Sequence, residues 1–161
     1  MKIAICPGSF DPVTKGHLDI VERAAALFEK VIVVVMVNAT KTPLFPTEQR
    51  VDMLKRSTAH LENVVVDSYD GLLATYAREQ NATVIVKGLR ALSDFEYEFQ
   101  MALTNRELND QLETVFLTAT DDKMYLSSSL VKQVALYGED VSKFVPACIL
   151  KDIEEKFRKD G

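Results

Sequence analysis

The apolar residues of this chain fall into short β-branched runs separated by longer stretches with a helical repeat. The runs occupy residues 3–6, 31–37, 64–66, 84–86 and 115–117. They are mostly unbroken rather than alternating, which predicts strands covered on both faces, as in a parallel sheet. Between the first two runs, Leu18, Val21, Ala25 and Phe28 recur at helical spacing, and the segment closes at Glu29-Lys30. Thr47 reads as the N-cap of a helix containing Val51 and Leu54. Ser93-Asp94-Phe95-Glu96 reads as a capping box opening a helix that turns Phe95, Phe99 and Leu103 inward. Leu150, Ile153 and Phe157 share one face of a last helix, which packs back on the body or on a neighbouring subunit.

Strand and helix thus alternate through the whole chain. This predicts an α/β fold: a single doubly wound, Rossmann-like domain over residues 1–161, with a five-stranded parallel sheet and a C-terminal helix. No repeat, low-complexity tract or linker divides it. In such sheets ligands bind beyond the carboxyl ends of the strands, where the strand order reverses. Segments 7–17, 38–46, 87–93 and 118–129 follow directly on the predicted strands and contain nearly every unusual residue of the chain.

Composition narrows the partners. The 161 residues are 47% hydrophobic and 27% charged, ordinary values for a folded globular chain. Nineteen Lys and Arg against 24 Asp and Glu leave a net charge of −5. Duplex nucleic acid requires a large basic footprint and is excluded as the main partner, whereas a small phosphorylated ligand needs only a few cations. Cys6 and Cys148 belong to no C-x-x-C or His-rich pattern, so neither a disulfide framework nor a structural zinc site is expected. The apolar stretch before Pro7-Gly8 is too short for a signal peptide, and the run at 31–37 is far shorter than a membrane span. A cytoplasmic location without membrane contact is the expectation.

The first strand runs into Gly8-Ser9-Phe10-Asp11-Pro12-Val13-Thr14-Lys15-Gly16-His17. Gly8 permits a tight turn, and Ser9 offers a hydroxyl and an amide. His17 falls in the first turn of a helix, where backbone N–H groups and the positive dipole end favour anions. Its imidazole can donate to a phosphate that Gly16 lets approach. His60, near the end of another helix, has no such setting and reads as structural. Ser127-Ser128-Ser129-Leu130-Val131-Lys132 opens a later helix with free amides and hydroxyls suited to the outer phosphates of a nucleotide, although the run is also ordinary N-cap chemistry. Lys87 and Arg90 bracket Gly88 and Leu89 at a strand end, which suits a phosphate, while Glu98 could accept hydrogen bonds from a nucleoside. Taken alone, these are also solvated charges. The same holds for Lys41, in a loop bounded by prolines, and Leu73 reads simply as core.

None of this is a dinucleotide or P-loop fingerprint. Instead, Gly8 to His17 resembles the T/H-x-G-H signature of the nucleotidyltransferase α/β-phosphodiesterase superfamily, and its Thr14 form is similar to that of the phosphopantetheine adenylyltransferase family. The serine run resembles the S-S-S-x-V-(K/R) motif of the same family. Lys87 to Glu98 resembles its R-G-(L/I)-R-x-x-x-D-(F/Y)-E-Y-E block, with Lys87 where arginine is usual. Lysine keeps the charge but loses the bidentate fork.

The resemblance covers nearly the whole chain and implies adenylyl transfer from ATP to 4′-phosphopantetheine, giving dephospho-coenzyme A and pyrophosphate, the penultimate step of coenzyme A biosynthesis. It implies His17 and Lys41 as catalytic residues. Its ATP-binding set is Ser9, Phe10, His17, Gly88, Leu89, Arg90, Glu98, Lys123, Met124, Tyr125, Leu126, Ser127, Ser128 and Ser129. Its acceptor-binding set is Ser9, Lys41, Leu73 and Lys87. Mg²⁺ would travel with ATP, with no dedicated carboxylate cage in the protein. A homohexamer and feedback inhibition by coenzyme A are also implied. Two other readings stay open at this level: a relative that uses nicotinate mononucleotide or a polyol phosphate as acceptor, and a non-catalytic nucleotide-binding regulator.

Overall fold

A computed structural model describes residues 2–38 and 40–158, with the backbone alone at Leu92 and Ser93. Five strands, β1 (Ile3–Gly8), β2 (Lys30–Met36), β3 (Val64–Tyr69), β4 (Val84–Leu89) and β5 (Glu113–Thr118), alternate with helices α1 (Lys15–Leu27), α2 (Thr47–Ser57), α3 (Leu73–Glu79), α4 (Leu92–Leu108), α5 (Ser128–Leu136) and α6 (Leu150–Arg158). The sheet is parallel throughout, in the order β3-β2-β1-β4-β5. The chain winds outward from β1 to β3 and then returns to lay β4 on the other side of β1. The strand order therefore reverses between β1 and β4.

Side-chain alternation along β2 shows why the sheet is covered on both faces. Val31, Val33 and Val35 join one core cluster with Val21 and Ala24 of α1, Met53 and Leu54 of α2 and Val131 of α5. Ile32 and Val34 join a second cluster with Ala74, Tyr76 and Ala77 of α3. The unbroken apolar runs of β1, β2 and β4 reflect this double burial. At β3 and β5 the expectation of double burial does not hold. Both are edge strands that alternate between covered and open positions, and Val65 and Val115 are exposed.

Helix α6 packs back on the body: Ile153 is fully buried, and Leu150 and Phe157 lie against the same cluster. Arg56 of α2 locks it with a bidentate pair to Asp152, at 3.1 and 2.8 Å, and donates a third bond to the Cys148 carbonyl at 2.8 Å. His60 lies away from the strand ends on the surface, its Nε2 3.0 Å from Glu22. The expected cap at Thr47 shifts by one residue. Pro46 takes the N-cap position, and the Thr47 hydroxyl instead accepts from Arg50 at 3.1 Å.

Helix α4 departs furthest from expectation. It begins at Leu92 with Ala91 at the N-cap and no side-chain cap, so no capping box starts at Ser93, whose side chain lies outside the described residues. Phe95, Phe99 and Leu103 do not face inward; they are 39%, 48% and 54% exposed. The covered face carries Asp94, Glu98, Ala102 and Asn105. The helix is rolled so that Glu98 and Asp94 meet the cations of β4 and the loop after it, while of the three aromatic and aliphatic positions Phe95 reaches the edge strand, against Phe116. No helix among the described residues is long and apolar enough to cross a membrane.

Candidate active site

Beyond the carboxyl ends of β1 and β4, where the strand order reverses, lies an open cavity of about 370 Å³. It gathers most residues singled out from the sequence: Ser9, Phe10, His17, Lys87, Gly88, Arg90, Glu98, Lys123, Leu126, Ser127, Ser128 and Ser129 all line it. Lys41, Leu73, Leu89, Met124 and Tyr125 do not. Lys41 stands exposed on the loop after β2, Leu73 opens α3 against the second core cluster, and Met124 and Tyr125 face solvent.

The histidine is held by its own helix cap. Thr14 is the N-cap of α1; its hydroxyl oxygen accepts the His17 N–H at 3.2 Å, and its backbone N–H donates to His17 Nδ1 at 2.9 Å. A backbone N–H can only donate, so Nδ1 is the unprotonated nitrogen and the ring proton sits on Nε2. Burial pushes the His17 pKa down to about 4, with the nearby Lys87 and Arg90 charges adding to the shift. His17 is therefore a neutral ring at physiological pH, with Nε2–H left as its free donor. Phe10 packs edge-on against it, with ring centroids 5.0 Å apart.

Phe10 adopts a φ of 48°, a left-handed conformation that side chains rarely take. Its ring is buried, and Gly8 makes room for it: a Cβ at Gly8 would lie 3.1 Å from the ring. The close approach at Gly88 is tighter still. A Cβ there would lie 2.9 Å from Cγ1 of Ile20, so α1 can rest on β4 only over a glycine.

Cations around the cavity are each partnered by a carboxylate. Lys87 lies 3.5 Å from Glu98, Arg90 lies 3.2 Å from Asp94, and Lys123 lies 3.2 Å from Asp122. Arg90 also donates to the Leu126 carbonyl at 2.7 Å, tying the loop after β4 to the loop before α5. An entering polyphosphate would meet cations whose present partners are single carboxylates, and would compete with them as the more highly charged anion.

The serine run divides its labour. Ser127 is the N-cap of α5, accepting the Leu130 N–H at 3.1 Å, and Ser128 donates to the Pro12 carbonyl at 2.7 Å. Two of its hydroxyls are thus structural, while the Ser128 and Ser129 amides in the first turn of α5 have no intrahelical acceptor and are suited to an anion. Cys6 also lines the cavity, but burial raises its thiol pKa to about 12, so it is a wall rather than a nucleophile. No group of three or more His, Cys, Asp or Glu side chains among the described residues could hold a metal ion.

Sequence reasoning did not assign roles to Asp11, Arg50 or Asp94. Asp11 and Arg50 are buried, while Asp94 lies half-buried beside Arg90. The Thr14-x-x-His17 spacing of a reciprocal cap was the available signal for the histidine's fixed tautomer.

Comparison with known proteins supplies the family. Residues 5–134 match the cytidylyltransferase-like family. The phosphopantetheine adenylyltransferase of Caldanaerobacter subterraneus subsp. tengcongensis is 54% identical over 159 residues, covering 99% of each chain. That of Heliobacterium modesticaldum is 52% identical over 157 residues, covering 98% of this chain and 94% of its own. Among solved structures, the Plasmodium falciparum nicotinic acid mononucleotide adenylyltransferase complexed with NaAD superposes with a TM-score of 0.68 at 15% identity, covering 99% of this chain and 95% of that one; it shows the shared fold. With a T-x-G-H loop at the end of β1, a serine-capped α5 facing it and half of all positions shared with those relatives along nearly its full length, the chain belongs to the phosphopantetheine adenylyltransferases of the cytidylyltransferase-like family.

Proposed function

We infer that the chain transfers the adenylyl group of ATP to 4′-phosphopantetheine. An oxygen of the acceptor phosphate attacks the α-phosphorus of ATP, the bond to the β-phosphate oxygen breaks, and pyrophosphate and dephospho-coenzyme A leave. A phosphate monoester carries a charge of about −1.5 to −2 at neutral pH and needs no general base. The protein's task is in-line positioning and neutralisation of the charge developing on the α-phosphate.

The observation that carries this reading is the neutral, Nε2-protonated His17, which lines the same cavity as Ser127, Ser128 and Ser129 at the start of α5. In the proposed mechanism its N–H donates to an α-phosphate oxygen and is strongest when that oxygen gains charge. Lys41 contacts the same phosphate and steers the nucleophile, and Lys87 holds the acceptor phosphate. Ser9, Phe10, Gly88, Leu89, Arg90, Glu98 and residues 123–129 bind ATP, with Met124 and Tyr125 closing over it from their exposed positions. Leu73 lines the pantetheine arm. Mg²⁺ comes in on the triphosphate, held by its oxygens and water.

The protein acts as one nucleotidyltransferase domain in the cytoplasm, self-associates as a homohexamer, and is open to inhibition by coenzyme A. Self-association is supported by the outward stripe of Phe95, Phe99 and Leu103 on α4, whose Phe95 ring lies 6.1 Å from that of Phe116 on edge strand β5. Contiguous apolar side chains of this kind are suited to contact with another protein surface.

The test is pyrophosphate release from MgATP with 4′-phosphopantetheine, nicotinate mononucleotide or glycerol 3-phosphate as acceptor, with sedimentation of the enzyme alongside. Release with phosphopantetheine alone, and dephospho-coenzyme A found by mass, is the expected result. Release with another acceptor would overturn the acceptor assignment, and ATP binding without turnover would overturn catalysis.

A further inference from the structure

We propose that Asp11 and Arg50 are positioning residues that grip the backbone around Phe45 from both sides and thereby fix the Lys41 loop against the His17 loop. Phe45 donates its N–H to Asp11 Oδ1 at 2.9 Å, and Leu44 donates its N–H to Asp11 Oδ2 at 2.8 Å. From the other side, Arg50 Nε donates to the Phe45 carbonyl at 3.0 Å. The same guanidinium donates through Nη1 to the Ser9 carbonyl, also at 3.0 Å, and through Nη2 to Thr47 at 3.1 Å. Phe45 itself is 0% exposed.

Asp11 follows Ser9 and Phe10 in the loop after β1, and Lys41 precedes Leu44 by three residues in the loop after β2. The clamp is therefore the bond between the two loops whose ligands must meet in line. Asp11 is 5% exposed and Arg50 4%. Removing such charges from water is costly, and as a source of stability alone a buried pair is commonly outdone by apolar packing. Among the described residues, Asp11 has one cationic partner, Lys132 of α5 at 3.2 Å, and the acceptors of Arg50 are two carbonyls and a hydroxyl. Fixed direction is what these bonds provide that apolar side chains could not. Lys132 also brings in the helix that opens with the serine run, so three ligand-bearing segments converge on one carboxylate.

Lys41 is exposed, and among the described residues its backbone N–H donates to the Asn38 carbonyl at 3.2 Å. The anchor three residues on ties this loop to the loop after β1. The proposal rests on the role of Lys41 stated above, and the experiment separates the two. Asp11→Asn and Arg50→Lys are each made in the wild-type chain and in Lys41→Met, with initial rates measured for both substrates and ATP affinity measured by calorimetry without acceptor.

A misplacement of about 1 Å can cost on the order of 100-fold in rate, so each single variant should lose about 10- to 100-fold in kcat while ATP affinity stays within about twofold. In the Lys41→Met background the same substitutions should cost less than about threefold, because no lysine remains to be placed. Full multiplication of the losses in that background overturns the clamp and leaves the role of Lys41 standing. Unchanged turnover in Lys41→Met overturns both. A parallel fall in ATP affinity also overturns the clamp, since the damage then lies in the nucleotide loop. Should Asp11→Asn fail to fold, Lys132→Met replaces it, with the same expectations at a side chain that is 37% exposed.

Discussion

Thr14 and His17 cap one another: the backbone N–H of Thr14 reaches the imidazole Nδ1 at 2.9 Å, and the Thr14 hydroxyl oxygen takes the His17 N–H at 3.2 Å. The reciprocity converts a helix start into a fixed donor. One ring nitrogen is committed to the backbone, so the other must carry the proton and point its donor capacity elsewhere. Because a single donor aimed at developing charge is worth about 10²- to 10³-fold in kcat, His17→Ala should lose turnover on that scale. ATP affinity, measured by calorimetry, should fall far less, because the contact matters most in the transition state. Near wild-type turnover in this variant would remove His17 from the chemistry.

The same half-buried ring makes folding sensitive to acid. In the unfolded chain His17 takes up a proton near pH 6.5, whereas in the folded protein it does so only near pH 4. Between those values the unfolded state binds more protons, so stability falls as pH falls, by up to about 1.4 kcal/mol per pH unit from this group. Above pH 6.5 its contribution is fully present and flat. Urea midpoints at pH 7 and 5 should separate more for the wild type than for His17→Gln, which has no group to titrate. Equal separations would place the acid sensitivity elsewhere.

Burial decided which parts of the molecule could be read from letters. Strands β1, β2 and β4 announce themselves because both faces are covered, and residues such as Val31 to Val35 have no polar position to accommodate. The ligand loops were legible for a related reason: glycine, histidine and serine runs serve neither strand nor helix well, so they stand out at strand ends. Helix α4 was misread because periodicity reveals that Phe95, Phe99 and Leu103 share a face, but not what covers it. Asp94 and Glu98 took the inward face through pairs with Arg90 and Lys87, which are set by the β4 end rather than by the helix's own pattern. Asp11 and Arg50 were invisible as structural groups because a charge in a loop or on a helix is usually solvated, and nothing local to either residue signals that the other loop lies over it.

Lys87 links the electrostatics of the site to the acceptor. It lies 3.5 Å from Glu98, and its charge is one of the influences that lower the His17 pKa. If it holds the acceptor phosphate, Lys87→Met should raise the KM for phosphopantetheine about tenfold or more while moving that for ATP much less, the usual cost of a lost charged hydrogen bond. The imidazole pKa, followed by NMR, should rise in the same variant because a neighbouring cation is gone. Lys87→Arg should keep or improve activity, since the fork restores bidentate contact. A large loss in the arginine variant would mean that Lys87 sits against something other than a phosphate.

Gly88 tests whether the cavity depends on the close seating of α1 on β4. A methyl group there would lie 2.9 Å from Cγ1 and 3.2 Å from Cδ1 of Ile20, distances at which one side must move. Ile20 sits three residues after His17 on α1, so displacing it tilts the helix whose first turn carries the histidine. Overpacking of this kind costs about 1–3 kcal/mol, and Gly88→Ala should be destabilised on that scale and should also lose turnover. Ile20→Ala removes both Cγ1 and Cδ1, the two atoms that the added methyl would meet. Combined with Gly88→Ala it should recover part of both losses, although alone it should cost about 2–5 kcal/mol. Recovery of stability without recovery of turnover would show that the glycine acts on a ligand directly, through space left open for a phosphate, rather than through the seating of α1.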